Sequence, residues 1–323
     1  MGNEDTGLHL GGLNVVDNSI RTRFTRLLPD LAGSEHDLRY FKDKLVKVLL
    51  GLIMLVIITP FFLVLFQVAG TGLVQLFGTG PGQGLDFLFT FPGVGLEGGI
   101  RNAFVGTVEL VVLASSVGVP LSVFGAVFIS EYTRPGLIKE LIEFASDVLA
   151  GIPSIVFGAF GFAFLVDFLH MGMGLVAGAL TLAFMMIPTV LRTTQEALRS
   201  VPMSLREASL ALGATKWSTT WNVTMRAAFP GMITGVLLAV GRIMGETAPL
   251  IFTAGNSLSV PTELVGSGSW VASMPYTIWA YISDPRNYLQ EKAQGVALTL
   301  MIMVLAIDVI ANLISRKVTR RLV

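Results

Sequence analysis

Apolar residues in this chain gather into long runs separated by polar segments. A membrane-crossing helix needs about 20 mainly apolar residues. Six runs meet that length, at roughly 45–69, 103–130, 148–168, 172–191, 230–254 and 295–315. The second holds Pro120 and the fifth Pro249. Proline is tolerated in such helices because neighbours re-satisfy the carbonyls it frees. The pattern predicts an all-α polytopic membrane protein with six transmembrane helices. A tail over 1–44 comes first. The membrane region covers 45–315 and carries a polar loop at about 198–228. A second tail covers 316–323.

Charge placement sets the expected orientation. Six Lys and Arg precede the first run. Arg134 and Lys139 lie between the second and third. Arg199, Arg206, Lys216 and Arg226 lie between the fourth and fifth, and Arg316, Lys317, Arg320 and Arg321 follow the sixth. The alternate loops hold only Arg101, Arg286 and Lys292. Basic loops stay inside, so both termini and the 198–228 loop are predicted to be cytoplasmic. The long outer loops, about 70–102 and 255–294, are rich in Gly and Pro. Residues 1–40 lack an apolar core followed by a small-residue cleavage site, so targeting is expected to rest on the first run. Arg21, Arg23 and Arg26 are expected on a solvated tail.

Composition agrees with a membrane protein. Of 323 residues, 53% are hydrophobic and 14% charged, against about 25% charged in soluble domains. There is no cysteine, which excludes a disulfide framework, cysteine–zinc sites and thiol catalysis. The three His have no metal-ligand spacing, so no metal site is expected. No Gly-Lys-Ser/Thr phosphate loop is present, and the chain is not expected to be its own ATPase. No His-Glu-x-x-His or Gly-x-Ser-x-Gly occurs, which argues against an enzyme. GTGPGQG at 78–84 reads as a loop. Asn222-Val-Thr224 has the glycosylation pattern but falls on the inner side. No convincing internal repeat is visible, which weakens a carrier built from inverted repeats.

The inner loop 198–231 reads LRSVPMSLREASLALGATKWSTTWNVTMRAAFPG. Ser204 followed by Glu207 has the spacing of a capping box. Pro202 stops a helix upstream, and Gly213 is placed to end one in the left-handed conformation. A short helix is predicted at about 205–212, with a second running from about Ser218 into the fifth span. Trp217, Trp221 and Met225 recur at i, i+4 and i+8 and are expected to pack on the chain's own bundle. Leu205, Leu210 and Leu212 have no obvious internal partner. A short amphipathic helix of this kind suits a partner's groove.

Arg242 falls near the middle of the expected fifth span, with Glu246 one turn on and Gly241 and Gly245 beside them. An intramembrane charge usually marks a substrate path. The guanidinium fork matches a tetrahedral oxyanion with two parallel hydrogen bonds. Arg192 repeats the arrangement with Glu196 at i+4, although an arginine at a helix end also serves as an interface anchor. Glu109 and Asp308 are expected to snorkel or to be internally hydrogen-bonded. His170 is expected in an outer turn.

Glu207-Ala-Ser-Leu-Ala-Leu-Gly213, with Pro230-Gly231 downstream, resembles the EAA loop of ABC importer permeases. GGIRNAFVGT at 98–107, GIPSIVFG at 151–158, LRTT at 191–194 and GRIMGETAPLIFTA at 241–254 resemble the PstA-type permeases of phosphate importers. The resemblance covers roughly 98–315. Ser209 replaces the second Ala of the motif, Arg226 stands where the family has a proline, and Gln195 where it often has an acid. The resemblance implies a type I ABC importer permease fold. It implies that Glu207, Ala208, Leu210 and Gly213 belong to a coupling helix for the ATPase, and that Arg192 and Arg242 serve phosphate passage. It also implies the partners: a sister PstC-type permease, a PstB-type ATPase dimer that uses ATP, and a PstS-type phosphate-binding protein outside. No cofactor is expected on this chain itself. An importer of sulfate, molybdate or tungstate remains an alternative, because the fork fits any such oxyanion. A proton-coupled carrier titrating Glu246 is the remaining one.

Overall fold

The apolar runs form helices, the arrangement that satisfies every backbone N–H and C=O within one segment. The computed structural model describes residues 14–93, 97–266 and 268–319. The side chains of 14–39, 311 and 314–319 fall outside that description, so the basic cluster at Arg21, Arg23 and Arg26 lies beyond it, as do residues 320–323. The helices are α1 (Asn14–Phe77), α2 (Leu85–Phe89), α3 (Arg101–Val127), α4 (Leu137–Gly151), α5 (Ser154–Gly161) and α6 (Leu175–Arg199). They continue with α7 (Met203–Ala211), α8 (Lys216–Thr219), α9 (Met225–Met244), α10 (Ala248–Thr253), α11 (Met274–Ile282) and α12 (Asn287–Thr319). π-Helical turns extend α3 through Phe128–Tyr132 and α5 through Phe162–Phe168, and join α8 to α9 through Thr220–Thr224. The described residues hold no strand, only an isolated bridge between Pro92 and Gly98.

Among the described residues, five helices are long and apolar enough to cross a membrane: Tyr40–Phe77, Arg101–Tyr132, Leu175–Arg199, Lys216–Met244 and Asn287–Ile310. The third expected span, 148–168, is not a straight helix. Leu137–Gly151 and Ser154–Phe168 meet at 103° and make a sixth span only if counted together. Gly151 and Pro153 explain the bend, because proline disfavours helix at the residue before it and provides no N–H. The fifth expected span, 230–254, breaks after Met244, and Pro249 sits in the first turn of α10 instead of inside a continuous helix. The helix of the first span is longer than expected and begins at Asn14.

The chain divides into a unit of Met1–Phe66 and a unit of Gln67–Val323. In the first, the apolar side chains of α1, among them Leu50, Phe61 and Phe66, are exposed. In the second, α6 is the central element. Its Leu182, Ala183, Met186 and Val190 form one buried cluster with Leu110 and Ala114 of α3 and Ala239 and Ile243 of α9. Small residues bring these helices close, as membrane helices require in the absence of a hydrophobic drive between them. A β-carbon on Gly118 would stand 2.7 Å from Met186, and one on Gly235 would stand 2.1 Å from the Thr193 hydroxyl.

GTGPGQG is a loop, as expected. Gly82 and Gly84 take positive φ, and the Gly80 N–H donates to the Gln83 side chain. His170 is in a turn with φ 52°.

Candidate functional site

Arg242 lies in the last turn of α9. Gly231 opposes Ala197, and Gly235 opposes Thr193, so α6 and α9 run antiparallel. At that register Arg242 is level with Met186, half-way along α6. Beyond the break, α10 leads toward the first half of α6, where Ala254 just past its end meets Gly178, while its Thr253 meets Gly161 of α5. The expected mid-span position therefore becomes a helix end set half-way along its neighbour. The break falls at Gly245-Glu246-Thr247, where Gly245 donates back to the Arg242 carbonyl and Glu246 to that of Ile243.

Arg242 Nε stands 3.7 Å from Glu246 Oε1. That distance is an ion pair but too long for a hydrogen bond. Glu246 is mostly covered, whereas the Arg242 side chain is 46% exposed. No hydrogen bond occupies its fork among the described residues. Asn222 of the π-helical turn before α9, then Arg226, Thr234, Leu238 and Arg242 of α9, recur as exposed positions four or eight residues apart. An exposed lane of this composition is unusual on a membrane helix, where polar groups normally face a cavity or a partner. Asp308 of α12 adjoins it, with Oδ1 3.8 Å from where a β-carbon on Gly241 would stand.

Arg192 is held differently. Its Nη1 donates to Asp147 of α4 at 2.9 Å, and its Nε donates to Glu196 at 3.4 Å. The closer acid, Asp147, is 45 residues away in sequence and is missed by an i+4 search. A second pair, Arg199 with Glu143, also ties α4 to α6. The amphipathic repeat of α4, with Leu137, Leu141, Phe144 and Val148 exposed, was the available signal that Glu143 and Asp147 lie on the side of the arginines of α6. At the α6–α9 register Arg192 is level with Val236, six residues or about 9 Å along the axis from Arg242. Glu109 Oε2 is buried with no hydrogen-bond partner among the described residues. On the opposite side Arg286 donates from Nε and Nη2 to the two carboxylate oxygens of Asp284. These bonds hold the Asp284 carboxyl down at about 2, so the pair stays ionised and mutually neutralised.

The 198–231 loop forms the expected short helix, as α7, but without the capping box. Pro202 is its N-cap and no side chain caps it. With α7 starting at Met203, Ser204 is already inside the first turn and cannot serve as cap. Gly213 ends the helix at φ 83°, and Ala214 N–H reaches back to the Ser209 carbonyl, as in a left-handed C-terminal cap. Glu207, Ala208 and Leu210 are exposed, and none of the α7 residues is buried. Leu205, Leu210 and Leu212 are 45%, 47% and 90% exposed. Arg206 turns inward, toward Glu131 at 2.9 Å, and Ser209 is also partly covered. The following helix begins at Lys216, earlier than expected, because Thr215 accepts from the Ser218 N–H as its N-cap. The tryptophan stripe packs only in part. Trp221 meets Phe124 and Met225 joins a buried cluster, but Trp217 is 63% exposed.

A family model described as binding-protein-dependent transport system inner membrane component matches residues 118–323. The chain is 36% identical over 220 residues to the phosphate transport system permease protein PstA of Yersinia pestis, covering 68% of this chain and 73% of that one. It is 38% identical over 227 residues to PstA 2 of Mycobacterium bovis, covering 70% and 75%. It is also 38% identical over 232 residues to PstA of Xylella fastidiosa, covering 71% and 79%. Among solved structures, it is similar to a bacterial ABC transporter involved in import of the acidic polysaccharide alginate, with TM-score 0.59, 17% identity and coverage of 87% and 99%. It is also similar to the inward-facing MetNI methionine ABC transporter, with TM-score 0.55, 20% identity and coverage of 68% and 97%. At such identities the likeness concerns the fold, a type I ABC importer permease. A helical membrane protein with these relatives is a permease subunit and not an enzyme, and the chain belongs to the family of binding-protein-dependent transport system inner membrane components, as a PstA-type member.

Proposed function

We propose that this chain is a permease subunit of an ATP-driven phosphate importer and that the exposed lane on α9 forms one wall of the phosphate path. The observation that carries this reading is the fork of Arg242, half exposed at a helix break and free of hydrogen bonds. A fork in that state can take two oxygens of a phosphate. Glu246 at 3.7 Å offsets part of the charge, so an anion is attracted without being held. Arg192, already engaged by Asp147 and Glu196, serves as a second and weaker step toward the cytoplasm.

A single permease leaves the lane open on one side, and a sister PstC-type permease closes it. The exposed leucines of α7, with Glu207, Ala208 and the turn at Gly213, dock a PstB-type ATPase. That ATPase binds and hydrolyses ATP, and this chain holds no cofactor. ATP binding supplies the free-energy difference between inward-open and outward-open states. A PstS-type binding protein delivers phosphate outside, and both termini lie in the cytoplasm. The names of the relatives favour phosphate over sulfate, molybdate or tungstate, which the same fork would fit.

Complementation tests this. A host lacking only its A-type permease should recover phosphate uptake with this chain, while its sulfate uptake stays unchanged. Restored sulfate, molybdate or tungstate transport without phosphate transport would reassign the substrate. ATP-independent, proton-driven uptake would overturn the importer reading.

A further inference from the structure

Arg206 is the charged residue that α7, a largely exposed helix, turns inward. Its side chain is 15% exposed, and that of its partner Glu131 is 11% exposed. Nη2 donates to Glu131 Oε1 at 2.9 Å and to the Leu198 carbonyl at 2.8 Å. Nη1 donates to the Val201 carbonyl at 2.7 Å. Glu131 lies in the π-helical turn that ends α3. Leu198 is in the last turn of α6, and Val201 lies just beyond it. One guanidinium thus joins three elements: α7, the inner end of α3 and the inner end of α6. It supplies a donor to the Val201 carbonyl just past the end of α6 and a second donor to the Leu198 carbonyl of its last turn, which also accepts from the Val201 N–H.

The surroundings complete a clamp. The Ser209 hydroxyl meets that of Thr219 at 2.9 Å, linking α7 to α8. The Lys216 ammonium lies over the Tyr132 ring at 5.2 Å. A cavity of about 450 Å³ lined by Ser130, Glu131, Met203, Arg206 and Leu210 lies alongside. Apolar packing does not fill this joint, so the charged bonds carry it. Planar arginine suits the task, since its fork addresses several acceptors in fixed directions, which lysine cannot.

We infer that Arg206 is the positioning residue that makes α7 move as one body with the inner ends of α3 and α6, so that displacement of α7 by an ATPase is delivered to the membrane helices. This rests on the reading of α7 as the ATPase-docking helix. Arg206 touches neither phosphate nor ATP. Its removal leaves the exposed leucines in place, so docking survives while transmission is lost.

The test uses the complete importer in proteoliposomes and reads phosphate moved per ATP hydrolysed. In Arg206→Met the ATPase should copurify at the wild-type ratio and hydrolyse ATP, while phosphate per ATP falls about tenfold, within the range of coupling between sites. Arg206→Met also strands a buried carboxylate, which by itself destabilises. The double variant Arg206→Met with Glu131→Met removes that charge without rebuilding the clamp, and its ratio should stay low. A spin-label pair at Ala211→Cys and Arg134→Cys, both exposed in a chain with no cysteine of its own, reads the joint directly. Its distance distribution should be narrow with Arg206 and broad in both Met variants. A wild-type ratio in Arg206→Met, recovery in the double variant, or a distribution that stays narrow would overturn the inference. If no ATPase copurifies even with the wild-type chain, the docking reading fails, and the spin-label distances still decide whether Arg206 is the clamp.

Discussion

Gly235 sets the distance between α6 and α9, because a β-carbon there would meet the Thr193 hydroxyl at 2.1 Å. That hydroxyl is already bonded to the Thr189 and Val190 carbonyls and has little room to turn away. Gly235→Ala should cost about 1–3 kcal/mol, the usual penalty for overpacking, seen as a lower thermal midpoint in detergent. Gly70, with nothing within 4 Å of its β-position, is the control. Gly70→Ala should leave the midpoint unchanged or raise it by the equivalent of about 0.5–1 kcal/mol. The ion pairs behave differently. Arg192 and Asp147 are 45% and 56% exposed, and pairs so open to solvent contribute about 0–1 kcal/mol. Asp147→Asn should therefore move the midpoint little, and a large loss of stability would show that the pair is dry in the assembled transporter.

Among the elements, α7 is the one with no buried residue. Its leucines are exposed and belong to no buried cluster among the described residues, which separates docking from folding. Leu210→Asp should abolish copurification of the ATPase while leaving the thermal midpoint of the isolated permease unchanged. Gly213→Val should also abolish copurification, by another route and with a lower midpoint. At φ 83° a branched residue costs about 1–2 kcal/mol, and the turn after α7 would re-form in another shape. Much of this element was legible in the sequence. Pro202, Gly213 and the leucine spacing marked its ends and its exposed face. The capping box was not real, because spacing alone cannot tell whether Ser204 is the cap or the second residue of the first turn. Arg206 escaped notice for a similar reason: its partners at Leu198, Val201 and Glu131 are a joint of three elements, and periodicity within one helix carries no trace of it.

At the scale of the whole molecule, the apolar runs and the basic loops indicated the helical membrane fold, and hydropathy places spans well because backbone polar groups must be satisfied internally. Hydropathy does not register bends. Gly151-Ile152-Pro153 and Gly245-Glu246-Thr247 both fall inside runs read as continuous spans, and both are breaks. The second matters most, since it turns Arg242 from a mid-helix charge into one at a helix end. The orientation proposed from the basic loops is open to direct labelling in the cysteine-free chain. Leu212→Cys should react with an impermeant thiol reagent only in inverted vesicles, and Leu258→Cys only in intact cells. The reverse pattern would invert the topology.

The central claim is that phosphate passes along the lane that ends at Arg242, and uptake by a single variant tests it most directly. Arg242→Gln should assemble with its partner permease and ATPase at wild-type levels, because the arginine makes one long ion pair and no hydrogen bond. Phosphate uptake into proteoliposomes carrying the whole importer should then fall about a hundredfold, the loss expected when two charge-assisted hydrogen bonds to the passing anion disappear. Uptake at the wild-type rate by an assembled Arg242→Gln importer would contradict the account and remove α9 from the phosphate path.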